Sequence, residues 1–175
     1  MFVFKISTSL CVISSWLTEP LNCFIEGLIA GGGRYVVDSY KEELDTLVDV
    51  LDLSENIVFL GDFSDIRPFY QSIDIFLSTS ELETFGMSVC EAMAFSKPVV
   101  AFEGGSVKEV LSDSEYTFDN YDCDGMTNKV IDLIDNPEKL TEVGKQNCKR
   151  VFENFNAPIL AQKAYSIYLQ LLRAD

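Results

Sequence analysis

Histidine is absent from all 175 residues. That excludes a Ser-His-Asp or Cys-His nucleophile arrangement and the HExxH zinc motif, and leaves acid–base chemistry to carboxylates, lysine, tyrosine, cysteine or a group on another chain. Positive charge is scarce as well, with 13 Lys and Arg against 28 Asp and Glu and a net charge of −15. A surface of that sign repels nucleic-acid phosphates and anionic lipid, so a nucleic-acid partner and a general membrane-surface role are excluded. The five cysteines, Cys11, Cys23, Cys90, Cys123 and Cys148, are odd in number, scattered and never spaced as CxxC. Neither a disulfide framework nor a zinc site fits that pattern, and a reducing cytoplasm does. After residues 1–17, no segment approaches the ~20 apolar residues that span a bilayer. Those first 17 residues carry one lysine and an apolar stretch, but lack an Ala-x-Ala-like cleavage site and are diluted by Ser7, Thr8, Ser9, Ser14 and Ser15. A short strand and helix over residues 1–20 is the expectation there, rather than a secretion signal.

What is present suffices for one hydrophobic core: 47% of residues are apolar, and the expectation is a single domain over residues 1–175. Strand-like and helix-like segments alternate. An apolar strand over 21–30 ends in Gly31-Gly32-Gly33, and Leu44, Leu47, Val48 and Leu51 mark one face of a helix over 38–53. Strands follow at 57–60, 73–77, 98–102 and 116–118, separated by helices at 66–71 after an Asp65 cap, 85–95 and 106–111. Helices at 124–134, 137–152 and 158–172 complete the chain, with Pro137 and Pro158 placed as start signals. The alternation predicts an α/β fold: a Rossmann-like, doubly wound parallel sheet with helices on both faces.

Residues 76–105 concentrate the chemistry, reading as strand, carboxylate loop, helix, strand and glycine turn. Ligands of open α/β sheets bind outside the carboxyl ends of the strands, which is where such a loop would lie. Gly86 stands before a helix whose first amides, at Met87 and Ser88, would be unpaired and open to a diphosphate; an ordinary tight turn explains the same residues. Glu91 lies a turn further on among Val89, Cys90, Ala92, Met93 and Ala94, where it either faces solvent or accepts from two hydroxyls such as a ribose diol. Glu83 either favours the helix dipole or accepts from the hydroxyls of a sugar. Lys97 reads as a turn lysine, and Tyr70, Phe59, Phe63, Phe69, Phe76 and Phe85 read as core, with Phe63 able to line a base pocket. Asp119, Asp122 and Asp124 lack the glycine and terminal glutamate of an EF-hand and read as a solvated loop.

Ser80, the Glu83 to Glu91 spacing, Glu91-Ala92-Met93-Ala94 and Lys97-Pro98-Val99-Val100 together resemble the donor-site signature of retaining glycosyltransferases with the GT-B fold, group 1. The resemblance runs from about residue 28 to 172 and includes Gly61, Gly104-Gly105, Glu109 and Phe155-Asn156. It implies the C-terminal, nucleotide-sugar half of such an enzyme. Glu83 would face the donor sugar as the catalytic carboxylate and Glu91 would bind the ribose. Ser80, Phe85, Gly86, Met87 and Ser88 would surround sugar and phosphates, Gly61 and Phe63 would lie near the base, and Gly31 and Gly32 would also be donor-binding. No cofactor or metal is implied, only a nucleoside-diphosphate sugar as substrate and a carbohydrate or lipid-linked acceptor.

Two departures qualify the resemblance. The acceptor half is missing, and so is the Gly-Arg-Leu and Lys-Gly pattern whose basic pair meets the diphosphate; Arg34 is either a partial substitute or an ordinary surface residue. Each such charged hydrogen bond contributes about 1.5–3 kcal/mol. The isolated chain is therefore expected to transfer sugar poorly and to need an acceptor domain, a partner subunit or self-association through an exposed apolar face. The expected location is the cytoplasm, with the complete enzyme peripheral to the inner face of the membrane. Two rivals are a non-catalytic nucleotide-sugar binding or interaction module, and a dinucleotide oxidoreductase, whose G-x-G-x-x-G spacing the glycine turn lacks.

Overall fold

A computed structural model describes residues 26–30, 38–112 and 115–173. In chain order the elements are β1 (Gly27–Ala30), α1 (Asp38–Val50), β2 (Ile57–Gly61), α2 (Arg67–Ser72), β3 (Phe76–Ser78), α3 (Met87–Ala94), β4 (Val99–Phe102), α4 (Val107–Leu111), β5 (Thr117–Phe118), α5 (Cys123–Asp135), α6 (Pro137–Asn154) and α7 (Ala157–Leu172). The glycine turn 31–33, Arg34 and the strand and helix expected over 1–20 lie outside the described residues.

Every residue of β4 is fully buried, as an uninterrupted Val-Val-Ala-Phe run requires of a strand covered on both faces. Side chains alternate along a strand, so each face of β4 joins a different core. Val100 and Phe102 pack with Leu44 and Val48 of α1 and with Met126, Val130 and Leu133 of α5. Val99 and Ala101 pack with Phe69 and Tyr70 of α2, Val89, Ala92 and Met93 of α3, and Val107, Val110 and Leu111 of α4. Helices on both faces and parallel pairing throughout bear out the doubly wound α/β reading. Among the described residues the hydrogen-bonded ladders are two, β1-β2 and β3-β4-β5, in place of one continuous sheet.

Several boundaries move for local reasons. The helix expected to reach residue 53 stops at Val50 because Asp52 turns left-handed (φ 55°) and the Leu53 N–H reaches back to the Val48 carbonyl at 2.9 Å. That reversal drops Leu53 into the core at 1% exposure. The strand expected over 73–77 begins only at Phe76, since the Ile73 N–H closes α2 on the Phe69 carbonyl. The helix expected over 85–95 is shorter at both ends: Gly86 is left-handed, and the chain leaves after Ala94 through Ser96 at φ 58°. Ile66, not Asp65, is the cap residue of α2; Asp65 instead accepts from the Arg67 N–H at 3.0 Å.

Helix α6 clamps the back of this assembly. It approaches so closely that a Cβ on Gly144 would stand 2.1 Å from the Ser96 carbonyl oxygen. The Asn147 amide donates to the Lys97 carbonyl at 3.0 Å. Arg150 donates from Nε to the Val110 carbonyl at 2.6 Å and from Nη2 to the Glu109 carbonyl at 2.7 Å, so a guanidinium sits where the dipole of α4 is negative. Replacing Arg150 with methionine keeps much of the aliphatic stem and removes both charged bonds. The expected loss is about 2 kcal/mol, measured as a lower urea midpoint with an unchanged denaturant slope.

Helix α7 starts with the Asn156 side chain accepting from the Ile159 N–H at 3.0 Å and buries none of its residues. Tyr165, Ile167, Tyr168, Leu171 and Leu172 are exposed along it. Among the described residues no helix is long and apolar enough to cross a membrane.

Candidate functional site

Because β3 and β4 run parallel, the loops after Ser78 and after Phe102 leave the same edge of the sheet side by side. Their contact is made by main chain. The Ser106 N–H donates to the Glu83 carbonyl at 3.1 Å. A Cβ on Gly104 would lie 2.4 Å from the Glu81 carbonyl oxygen, and one on Gly105 (φ 64°) only 1.9 Å from that of Glu83. The Asn120 amide donates to the Glu81 carbonyl at 3.3 Å from the end of β5. The glycine pair read from sequence as a turn into a helix therefore holds the carboxylate loop in place.

Glu83 is 1% exposed, and among the described residues neither carboxylate oxygen has a hydrogen-bond partner. Burial pushes its pKa up. The Ser80 hydroxyl and Gly86 N–H lie close enough to pull the other way without reaching bonding geometry. Ser80 itself is buried. Gly86 adopts φ 78° and ψ 49°, and a Cβ there would meet only ordinary contacts to Val89, so the backbone conformation and not space requires glycine. The first main-chain bond of α3 runs from the Cys90 N–H to the Gly86 carbonyl at 3.0 Å, after the amides of Met87, Ser88 and Val89. Met87 is exposed, and the half-buried Ser88 has an unpartnered hydroxyl. An anion and a hydroxyl-rich ligand are what this corner can accept.

Glu91 does not face bulk solvent, the first of the two sequence alternatives, and one of its oxygens already accepts from a hydroxyl of the chain itself. It is half-buried, and its Oε2 accepts from the Tyr70 hydroxyl at 2.9 Å. Tyr70 was legible only as core, which it also is, at 3% exposure. The available signal was its hydroxyl: in a cluster otherwise made of phenylalanines, a buried phenol needs an acceptor. Burial and the neighbouring Glu91 carboxylate push its pKa far above the usual phenol range, and burial followed by Glu91 pushes the Cys90 thiol up to about 11.

The remaining candidates are distributed around this centre. Phe85 lies in the loop before α3 and packs edge-on against Phe155, with ring centroids 6.1 Å apart, which ties the aromatic turn before α7 to the carboxylate loop. Gly61 ends β2 with φ 69° and open space around it; Phe63, 39% exposed, follows and touches Phe69 at 6.2 Å. Gly31 and Gly32 lie outside the described residues. Two cations here are engaged: Lys108 with Glu103 at 2.6 Å and Arg150 with the α4 carbonyls. Lys97 donates to the Gln71 carbonyl at 3.4 Å, a turn role as expected. Asp122 caps α5 by accepting from the Gly125 N–H at 2.9 Å, and no metal-ligand cluster occurs among the described residues.

A doubly wound parallel unit bearing a buried carboxylate loop and an open helix start at its strand ends is the Rossmann-like half of a GT-B glycosyltransferase fold. The Anabaena protein HepE, solved in complex with UDP and glucose, superposes with a TM-score of 0.80 over 94% of this chain and 46% of that one, at 21% identity. The chain belongs to the family described as glycosyl transferases group 1, whose sequence profile matches residues 15–150. It is 28% identical over 131 residues to the N-acetyl-alpha-D-glucosaminyl L-malate synthase of Bacillus anthracis, covering 74% of this chain and 34% of that protein. It is 27% identical over 150 residues to the lipopolysaccharide core biosynthesis mannosyltransferase LpsB of Rhizobium meliloti (strain 1021), covering 83% and 43%. The chain thus spans less than half the length of these relatives.

Proposed function

We propose that this chain is the donor half, a single domain, of a retaining hexosyltransferase that moves a sugar from a nucleoside diphosphate to a carbohydrate or lipid-linked acceptor in glycoconjugate or polysaccharide synthesis. The observation that carries the reading is Glu83: a carboxylate 1% exposed, without a partner among the described residues, beside an open helix start. A buried charge without a partner is costly, so a sequence that keeps one here has a use for it. Glu83 faces the donor sugar and Ser80 lies beside it. The main chain of Phe85, Gly86, Met87 and Ser88 meets the diphosphate, and its helix-start amides stabilise the leaving group without a metal. Glu91 accepts from the ribose, Gly61 and Phe63 border the base, and Gly31 and Gly32 belong to the same donor site. The UDP in the HepE complex and the mannosyltransferase relative support a nucleotide sugar as substrate.

Chemistry requires the acceptor to be held against the donor, so transfer belongs to the complete enzyme, in the cytoplasm or at the inner face of its membrane. The test is calorimetric titration of the purified chain with UDP, GDP, ADP and their glucose and mannose conjugates. One base should bind at millimolar concentration or below, and Glu91→Ala should weaken it at least tenfold; a folded chain that binds none of them refutes the reading. A second reading, a binding module without catalysis, is favoured by the engagement of Lys108 and Arg150 elsewhere. It predicts the same binding with no turnover after an acceptor half is supplied.

A further inference from the structure

We propose that Tyr70 is a positioning residue for Glu91, and that through it the site selects ribonucleoside diphosphates over their 2′,3′-dideoxy counterparts. This rests on the reading of Glu91 as the ribose acceptor. The juxtaposition comes from two helices 21 positions apart in sequence at these residues, α2 supplying the phenol and α3 the carboxylate. The Tyr70 ring is fixed on three sides. It stacks on Phe95 at 5.5 Å and 20°, meets Phe69 edge-on at 5.4 Å, and lies 5.9 Å from Phe76. With the ring held, the hydroxyl has little choice of direction: it donates to Glu91 Oε2 at 2.9 Å, with the Ser88 carbonyl a weaker second acceptor at 3.4 Å.

A glutamate side chain has three rotatable bonds, and a half-exposed one samples several rotamers unless something holds it. Tyr70 holds one oxygen, and Glu91 Oε1 accepts no hydrogen bond among the described residues. The bond therefore leaves an acceptor free while fixing where it stands, which lowers the ordering cost when a hydroxyl pair arrives. The phenol also keeps its proton, because burial and the adjacent negative charge both oppose ionisation. A purely structural tyrosine would be served equally well by a phenylalanine, as the neighbouring Phe63, Phe69 and Phe76 are.

The experiment compares Tyr70→Phe, Glu91→Ala and the unaltered chain by calorimetry with UDP, GDP and ADP, each paired with its 2′,3′-dideoxy form, after thermal melts establish that each variant is folded. The unaltered chain should prefer the ribose form of its base at least tenfold. Tyr70→Phe should weaken the ribose form about five- to twentyfold and leave the dideoxy form unchanged, so that the preference largely collapses. An equal loss for both forms, or none for either, would overturn the positioning role. If Glu91→Ala leaves the preference intact, the ribose role of Glu91 fails and this inference fails with it. If Glu91→Ala removes the preference while Tyr70→Phe keeps it, only the Tyr70 inference is lost. Absence of binding to all six nucleotides overturns both.

Discussion

Gly105→Val should lower the thermal midpoint by about 6–12 °C and abolish nucleotide-sugar binding in whatever fraction stays folded. The added Cβ would sit 1.9 Å from the Glu83 carbonyl oxygen. Both atoms belong to rigid main chain, so no side-chain rotation relieves the clash. The residue also adopts φ 64°, a conformation that a β-branched side chain strongly disfavours. Together these place the cost at about 3 kcal/mol, and each kcal/mol shifts the midpoint of a chain this size by about 2–4 °C. Gly61→Ala is the control. Gly61 has a similar φ of 69° with nothing within 4 Å of an added Cβ, so only the backbone term applies, about 1 kcal/mol. Comparable midpoints for the two variants would mean that the contact between the Gly104-Gly105 turn and the carboxylate loop is not what holds that loop.

Glu83→Met should act in the opposite sense on stability and remove the donor-sugar contact. The native chain holds this carboxyl 1% exposed and unpartnered among the described residues, so its ionised form carries a penalty of about 1–3 kcal/mol or more. Methionine fills a similar volume without a charge, so the midpoint should rise by about 2–12 °C. The pH dependence carries a definite sign. Folding raises the pKa of Glu83, so the folded state favours the protonated acid. The penalty is absent below the unfolded carboxylate pKa, grows as pH rises through it, and is complete above the folded pKa. The gain of Glu83→Met over the unaltered chain should therefore be small below the unfolded carboxylate pKa and grow as pH rises, reaching its full size above the folded pKa. Comparing the two chains at each pH cancels the opposite contribution of Asp65, Glu103, Glu115 and Asp132, whose pKa values are lowered. A gain independent of pH would mean that the carboxylate does not titrate as a buried group. In binding, the variant should retain the nucleoside diphosphate and lose the preference for its sugar conjugate.

The fold was legible because its signals are local. The Val-Val-Ala-Phe run of β4, the helical spacing of Leu44, Leu47, Val48 and Leu51, and the Pro137 start signal each act over a few residues. The errors lie where a long-range requirement decides. Asp52 turns left-handed because Leu53 must reach the core, and β3 starts late because Ile73 is spent closing α2. The carboxylate motif was likewise visible as a spacing. What the spacing could not show is how the two glutamates differ: Glu83 is enclosed without a partner, whereas Glu91 is half-open and tied to Tyr70. Environment separates chemically identical side chains, and environment here comes from α2, the Gly104-Gly105 turn and the end of β5. None of these can be read from the residues flanking Glu83 and Glu91.

The grip on residues 81–83 is made on carbonyl oxygens: the Ser106 amide on Glu83, the Asn120 amide on Glu81, and two glycines pressed against the same peptides. None of these contacts reads the identity of the loop's own side chains. Leu82, 76% exposed, and the exposed Thr84 can therefore change without altering where Glu83 stands. The loop behaves as a socket whose mounting is separate from its outward face. Descendants of this sequence can vary what they present to a partner or acceptor at those two positions while the geometry behind them is inherited intact.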